Sequence, residues 1–235
     1  MNNLEVLKKS LKNLAGQPKL FLPRIVSSLI SSAFLILVLN DYTSGNQLST
    51  SAVTASFGGM YLLSIISLFV WLMLVSMVKN NSGLKKGFSE AAHNIGKLLK
   101  AATALLLIGV LIALPSSIGI VFYSQGIIWA GIVGPAITLV LMFFLSYTSY
   151  FVPVTLLDTE GVLKSWKKSY AGSKEKRTAV ISLTVLSFIL LGVSLWFSSS
   201  TVVKSFGQAG FIIGRILSSV VTTYLMVLSP ELYLD

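Results

Sequence analysis

Long apolar runs alternate with short amphipathic stretches along the whole chain. Six runs stand out, roughly Leu20–Leu39, Phe57–Val78, Leu98–Tyr123, Ile127–Leu157, Thr178–Ser198 and Phe211–Ser229. At about 1.5 Å of rise per residue, each can cross the ~30 Å hydrocarbon layer as a helix. The stretches before the odd-numbered runs carry a helical period instead. Over 162–170, Val162, Leu163, Trp166 and Tyr170 share one face and Lys164, Lys167 and Lys168 the other. Leu84, Phe88, Ala91, Ile95 and Leu98 form a second such stripe, opposite Lys86, Ser89, Glu90, His93, Lys97 and Lys100. Leu4, Leu7, Leu11 and Leu14 form a third, opposite Glu5, Lys8, Lys9 and Lys12. The wording repeats as well: VLKKSL at 6–11, GLKKGF at 83–88 and GVLKSW at 161–166.

This pattern predicts an all-α integral membrane protein forming a single membrane domain over 1–235. Its six transmembrane helices make three hairpin units, approximately 1–79, 80–157 and 158–235, each preceded by an amphipathic interfacial helix. The side chains expected to meet lipid are Lys8, Lys9, Lys12, Lys85, Lys86, Phe88, Lys164, Trp166, Lys167, Lys168 and Tyr170.

Composition sharpens this picture. Charged residues make up 11% of the chain, against about 25% in a soluble domain, and no side chain between Lys100 and Asp158 is charged. The net charge of +10 would suggest nucleic acid in a soluble protein, but here its distribution matters more. Of the 18 lysines and arginines, 16 fall before or just inside the first run, in the second connection or in the fourth. Basic loops stay in the cytoplasm, so both termini are expected there, with 40–56 and 199–210 outside, in a multi-pass protein of the cell membrane. The expected partners are anionic headgroups on the cytoplasmic side, with no nucleic acid. The N-terminus has no short apolar run ending in small residues, so no cleavable signal is expected.

Candidate chemistry is sparse. The absence of cysteine excludes disulfides and thiolate sites. Glu90 and His93, three apart, could form half of a di-iron site, but no second histidine exists to complete it. Asp158 and Glu160 are close enough to suggest paired carboxylates, yet their place before a helix suits capping better. NNS at 80–82 matches a glycosylation sequon on the side expected to be cytoplasmic, where it should go unused. No cofactor, metal or catalytic residue is expected. The last run does carry a polar stripe. Gly210 and Gly214 form a GxxxG, continued by Ser218 and Thr222, with Arg215 near Ser218, Ser219 and Thr222. Together with Ser28 and Ser32 of the first run and Asp41 just past its end, these residues make a candidate polar seam. It predicts that the first and last runs pack together, unless Arg215 extends to the outer headgroups.

LKKSLKNLAGQPKLFLPRIV and YFVPVTLLDTEGVLKSWKKSY carry a resemblance. They are similar to a loose group of uncharacterised archaeal and bacterial six-span proteins, related to the membrane domain attached to some glycerophosphodiester phosphodiesterases. Pro153, Glu160, Gly161, Ser165 and Ser169 match its shared feature, a proline-ended span followed by an acid, a glycine and a serine-bearing amphipathic helix. The opening turn reads Gly-Gln-Pro where the group has an Asn-Pro-like turn. The resemblance implies the six-span topology and no activity.

The expected function is non-enzymatic: a lipid-interacting or membrane-organising protein, or the membrane subunit of a complex. A small permease using the stripe of the sixth run is the alternative. Against it, no Asp or Glu lies within any of the six runs, where coupled transporters usually carry one. A lipid-modifying enzyme ranks third, because no nucleophile–base pair is visible.

Overall fold

A computed structural model describes residues 3–43, 50–198 and 207–234. No strand occurs among them. The helices are α1 (Asn3–Gly16), α2 (Leu22–Thr43), α3 (Thr50–Lys79), α4 (Leu84–His93), α5 (Ile95–Ser124), α6 (Ala130–Ser149), α7 (Val152–Asp158), α8 (Val162–Glu175), α9 (Arg177–Ser198) and α10 (Gly207–Leu234), with a 3-10 turn at Pro18–Leu20. Five segments are long and apolar enough to cross a membrane: Pro18–Ile36, Gly58–Lys79, Ile95–Ser124, Ala130–Asp158 and Gly207–Leu234. α8 and α9 meet at a bend of 104°, and over Val162–Val193 they make a further candidate segment together.

Helix ends follow local chemistry. After α3, Asn81 takes φ 43°. The Ser82 N–H reaches the Met77 carbonyl (3.0 Å) and the Asn81 N–H that of Val78 (3.4 Å). This is a Schellman stop, with asparagine in the left-handed position. The NNS sequon is therefore the C-terminal cap of α3. The α5–α6 hairpin stops the same way, with Gly126 at φ 91° and the Ile127 N–H on the Phe122 carbonyl (3.0 Å).

Prolines break or weaken helices, and neighbouring helices mend them. Proline lacks an N–H and disturbs the turn before it. At Pro115 in α5, the Thr138 hydroxyl of α6 enters the opened ladder. It accepts from the Ser116 N–H (3.1 Å) and Ser116 Oγ (2.8 Å) and donates to the Ile112 carbonyl (3.1 Å). The fourth run does not continue to Leu157 as one helix but breaks between α6 and α7, just ahead of Pro153. There the Phe151 N–H donates to Ser169 Oγ of α8 (3.0 Å), and that hydroxyl donates to the Thr148 carbonyl (3.0 Å). Ser229 of α10 donates to the Tyr150 carbonyl at the same break (2.7 Å). Within α10, Pro230 cannot bond the Met226 carbonyl, which accepts from Trp71 Nε1 of α3 instead (3.3 Å). In an apolar medium each orphaned backbone group would be costly, so these contacts fix which helices are neighbours. Thr138→Val should cost about 1–2 kcal/mol in detergent unfolding, whereas Thr138→Ser should stay near the parent.

The three basic helices gather at one end of the bundle, and so does the core. Val70 and Leu72–Met77 of α3, Val152–Leu156 of α7 and Met226–Leu232 of α10 are buried there, while α5 and α6 expose most of their apolar surface. α4 packs on α3, α8 on α6 and α7, and α1 on α10, so the chain closes on itself. The apolar stripes of the sequence divide: Leu14, Ala91 and Leu98 dock in the core, while Leu4, Leu11, Phe88, Leu163 and Tyr170 stay exposed. The fifth residue of each repeated word is buried: Ser10, Gly87 and Ser165. Gly87 meets Met73 and Met77, where a side chain would not fit. The sixth residue looks outward: Leu11 is 56% and Phe88 57% exposed, and Trp166 is half-buried. Small residues dock because they let backbones approach, which leaves the large apolar residues on the free flank.

Candidate functional site

Each basic helix therefore has three sectors. On α8, Ser165, Ser169 and Ser173 form the docked stripe at a spacing of four. Leu163 and Tyr170 are exposed and Trp166 is half-buried beside that stripe, and Lys164 and Lys167 are exposed. Two grooves flank Tyr170. One of about 360 Å³ is lined by Phe144, Thr148, Leu163, Trp166, Lys167 and Tyr170. The other, about 340 Å³, is lined by Phe143, Phe144, Tyr147, Tyr170, Lys174, Arg177 and Ile181. Aromatic walls with basic rims can take an amphipathic anion.

The remaining basic side chains divide between solvent and protein. Lys8, Lys12, Lys85 and Lys86 are exposed. Lys164 pairs with Glu160 (3.6 Å) at the surface, a contact worth at most about 1 kcal/mol. The Lys168 ammonium lies 6.0 Å from the Tyr233 ring centre. Lys9 departs from the expected lipid contact. It pairs at 3.0 Å with Glu231, whose side chain is only 3% exposed and also accepts from Asn13. The buried carboxylate holds a cation beside it, while Lys9 itself stays 44% exposed.

The acids also find partners other than those expected. Asp158 ends α7 and pairs with Lys79, and Gly161 is the N-cap of α8 with no side-chain cap bond, so neither Asp158 nor Glu160 caps that helix. Glu90 accepts from Ser76 and from Asn80 (3.0 Å), joining α4 to the end of α3, while His93 is exposed. No cluster of three or more candidate metal ligands occurs among the described residues.

The seam runs between α2 and α10, which pack together. Arg215 Nη2 donates to Ser31 Oγ (2.9 Å), and Ser28 Oγ donates to the Arg215 carbonyl (2.9 Å). The seam has a second arginine. Arg24 Nε donates to Thr222 Oγ1 (3.0 Å) and its Nη1 to Ser67 Oγ of α3 (3.2 Å). The register is reciprocal and antiparallel: each arginine meets a hydroxyl seven residues, about 10 Å, from the other arginine's own position. Other members of the candidate seam stay within their helices. Ser32 bonds the Ser28 carbonyl (2.7 Å), and Ser219 that of Ile216 (2.6 Å). Ser218 does not line the cavity between the arginines, and the Asp41 side chain lies outside the described residues. That cavity, of about 150 Å³, is lined by Arg24, Ser27, Ser31, Leu35, Leu63, Ile66, Ser67 and Arg215. The sequence reading placed Arg24 with the loop charges, yet Arg24, Ser27, Ser28 and Ser31 fall on one helical face, a visible signal. Compared with protein-family models, curated proteins and solved structures, the chain matches none.

Proposed function

We propose that the chain is a non-enzymatic, multi-pass protein of the cell membrane that binds anionic lipid at the cytoplasmic face. Six segments cross the bilayer as three hairpins, both termini are cytoplasmic, and α1, α4 and α8 lie in the interface. The observation that supports this best is the pair of grooves flanking Tyr170. Their aromatic walls suit acyl chains and glycerol, and Lys167, Lys174 and Arg177 stand where phosphates would sit. Docking through small residues leaves Leu11, Phe88 and Leu163 free to enter lipid beside exposed lysines.

Reconstitution into phosphatidylcholine vesicles, with or without phosphatidylglycerol, tests this reading. The Trp166 contribution, taken as the difference from Trp166→Phe, should be blue-shifted and quenched by shallow lipid-borne quenchers. The triple variant Lys167→Gln, Lys174→Gln, Arg177→Gln should lose phosphatidylglycerol enrichment, at about 1 kcal/mol per charge. Trp166 open to aqueous iodide, with equal retention of both lipids, would count decisively against the proposal. Orientation is checked separately with an impermeant thiol reagent on intact cells: Ser49→Cys should label and Lys167→Cys should not.

A further inference from the structure

We infer that the cavity between α2, α3 and α10 is a binding site for one compact anionic group, a phosphate-type oxyanion or a carboxylate, held between Arg24 and Arg215. Two guanidinium groups line one space of about 150 Å³, and no carboxylate lines it among the described residues. Like charges facing one partly open space repel, and an anion between or beside them would offset that repulsion. The described residues supply them with hydroxyls. Arg24 is given Thr222 and Ser67, and Arg215 is given Ser31. Neutral acceptors position guanidinium groups without neutralising them. Arg215 Nε is buried and has no hydrogen-bond partner among the described residues. Ser27 lends its hydroxyl only to the Arg24 carbonyl on its own helix.

The size narrows the ligand class. The cavity holds several water volumes but is smaller than the usual 300–1,000 Å³ of a pocket for a larger organic ligand. One tetrahedral or planar oxyanion suits the planar, multi-donor forks of two arginines. That group could come from free phosphate or from the phosphodiester of an anionic lipid whose chains remain outside. This inference does not rest on the grooves beside Tyr170, which are lined by other residues.

Thermal unfolding of the purified protein in neutral detergent, followed by tryptophan emission, tests it. Inorganic phosphate and sulfate should raise the midpoint saturably, beyond chloride at equal ionic strength. Arg24→Gln and Arg215→Gln should each weaken this by about ten- to a hundredfold, while Lys100→Gln, at an exposed lysine away from both grooves and the cavity, leaves it unchanged. Arg24→Lys and Arg215→Lys, which keep the charge, serve if a glutamine variant fails to fold and should retain part of the binding. A second arm reads the lipid source: native mass spectrometry after phosphatidylglycerol and phosphatidylcholine exposure. Arginine-dependent retention of phosphatidylglycerol without a phosphate effect assigns a lipid headgroup, and the reverse assigns a free anion. No saturable phosphate or sulfate effect, together with no arginine-dependent lipid retention, overturns the site.

Discussion

Gly134→Leu is expected to force α5 and α6 apart and to cost about 3 kcal/mol or more. A Cβ at Gly134 would lie 2.3 Å from the Pro115 carbonyl oxygen and 3.0 Å from the Gly119 Cα. Both obstacles are backbone, so no side-chain rotation relieves the clash. A side chain at Gly119 meets the same wall from the other helix, 2.5 Å from the Ala130 carbonyl oxygen. The separation would also withdraw the Thr138 hydroxyl from the gap at Pro115, leaving the Ser116 N–H and Ile112 carbonyl without their mend. Gly109→Leu on α5 is the control, because nothing lies within 4 Å of its Cβ position. Denaturant titration in mild detergent should show a large loss for Gly134→Leu and almost none for Gly109→Leu. Equal midpoints for the two would show that the close approach is not part of the fold.

The sequence made the helical class legible because apolar runs of this length leave few alternatives in lipid. It placed the first and last runs together through their serines and Arg215, and α2 and α10 do pack. Three things were not legible. The apolar stripes of α1, α4 and α8 read as lipid-facing, and Leu11, Phe88 and Leu163 are exposed, but periodicity cannot say which members of a stripe meet protein, as Leu14, Ala91 and Leu98 do. Ser10, Gly87 and Ser165 show that here the small residues meet protein. Arg24 was counted by its position near the start of a run, whereas its partners, Ser67 and Thr222, come from distant parts of the chain. The break before Pro153 was masked by continuous hydropathy, since Tyr150, Phe151 and Val152 are all apolar in composition.

Lys9→Glu is the second large effect, expected to release α1 from α10 at a cost of about 3 kcal/mol or more. Glu231 follows the last apolar run and reads as a terminal surface acid, yet it is buried in the structure. Its carboxylate is held by Lys9 and Asn13, both from α1. Removing one partner of a buried pair costs about 3–5 kcal/mol when both ends are enclosed. Lys9 is 44% exposed and Asn13 remains, so Lys9→Ala should cost less, about 2 kcal/mol. Charge reversal adds repulsion to the loss. Val6 and Leu14 would then leave the core, and the α1–α2 connection should become open to protease. Adding Glu231→Gln removes the repelling charge and should restore most of the stability of Lys9→Glu. A Lys9→Glu protein as stable and as protease-resistant as the parent would disprove the docking role. Phosphatidylglycerol retention separates this role from lipid contact. Glutamine at the exposed Lys8 and Lys12 should weaken retention, whereas Lys9→Gln should act on stability first, because its ammonium already faces Glu231.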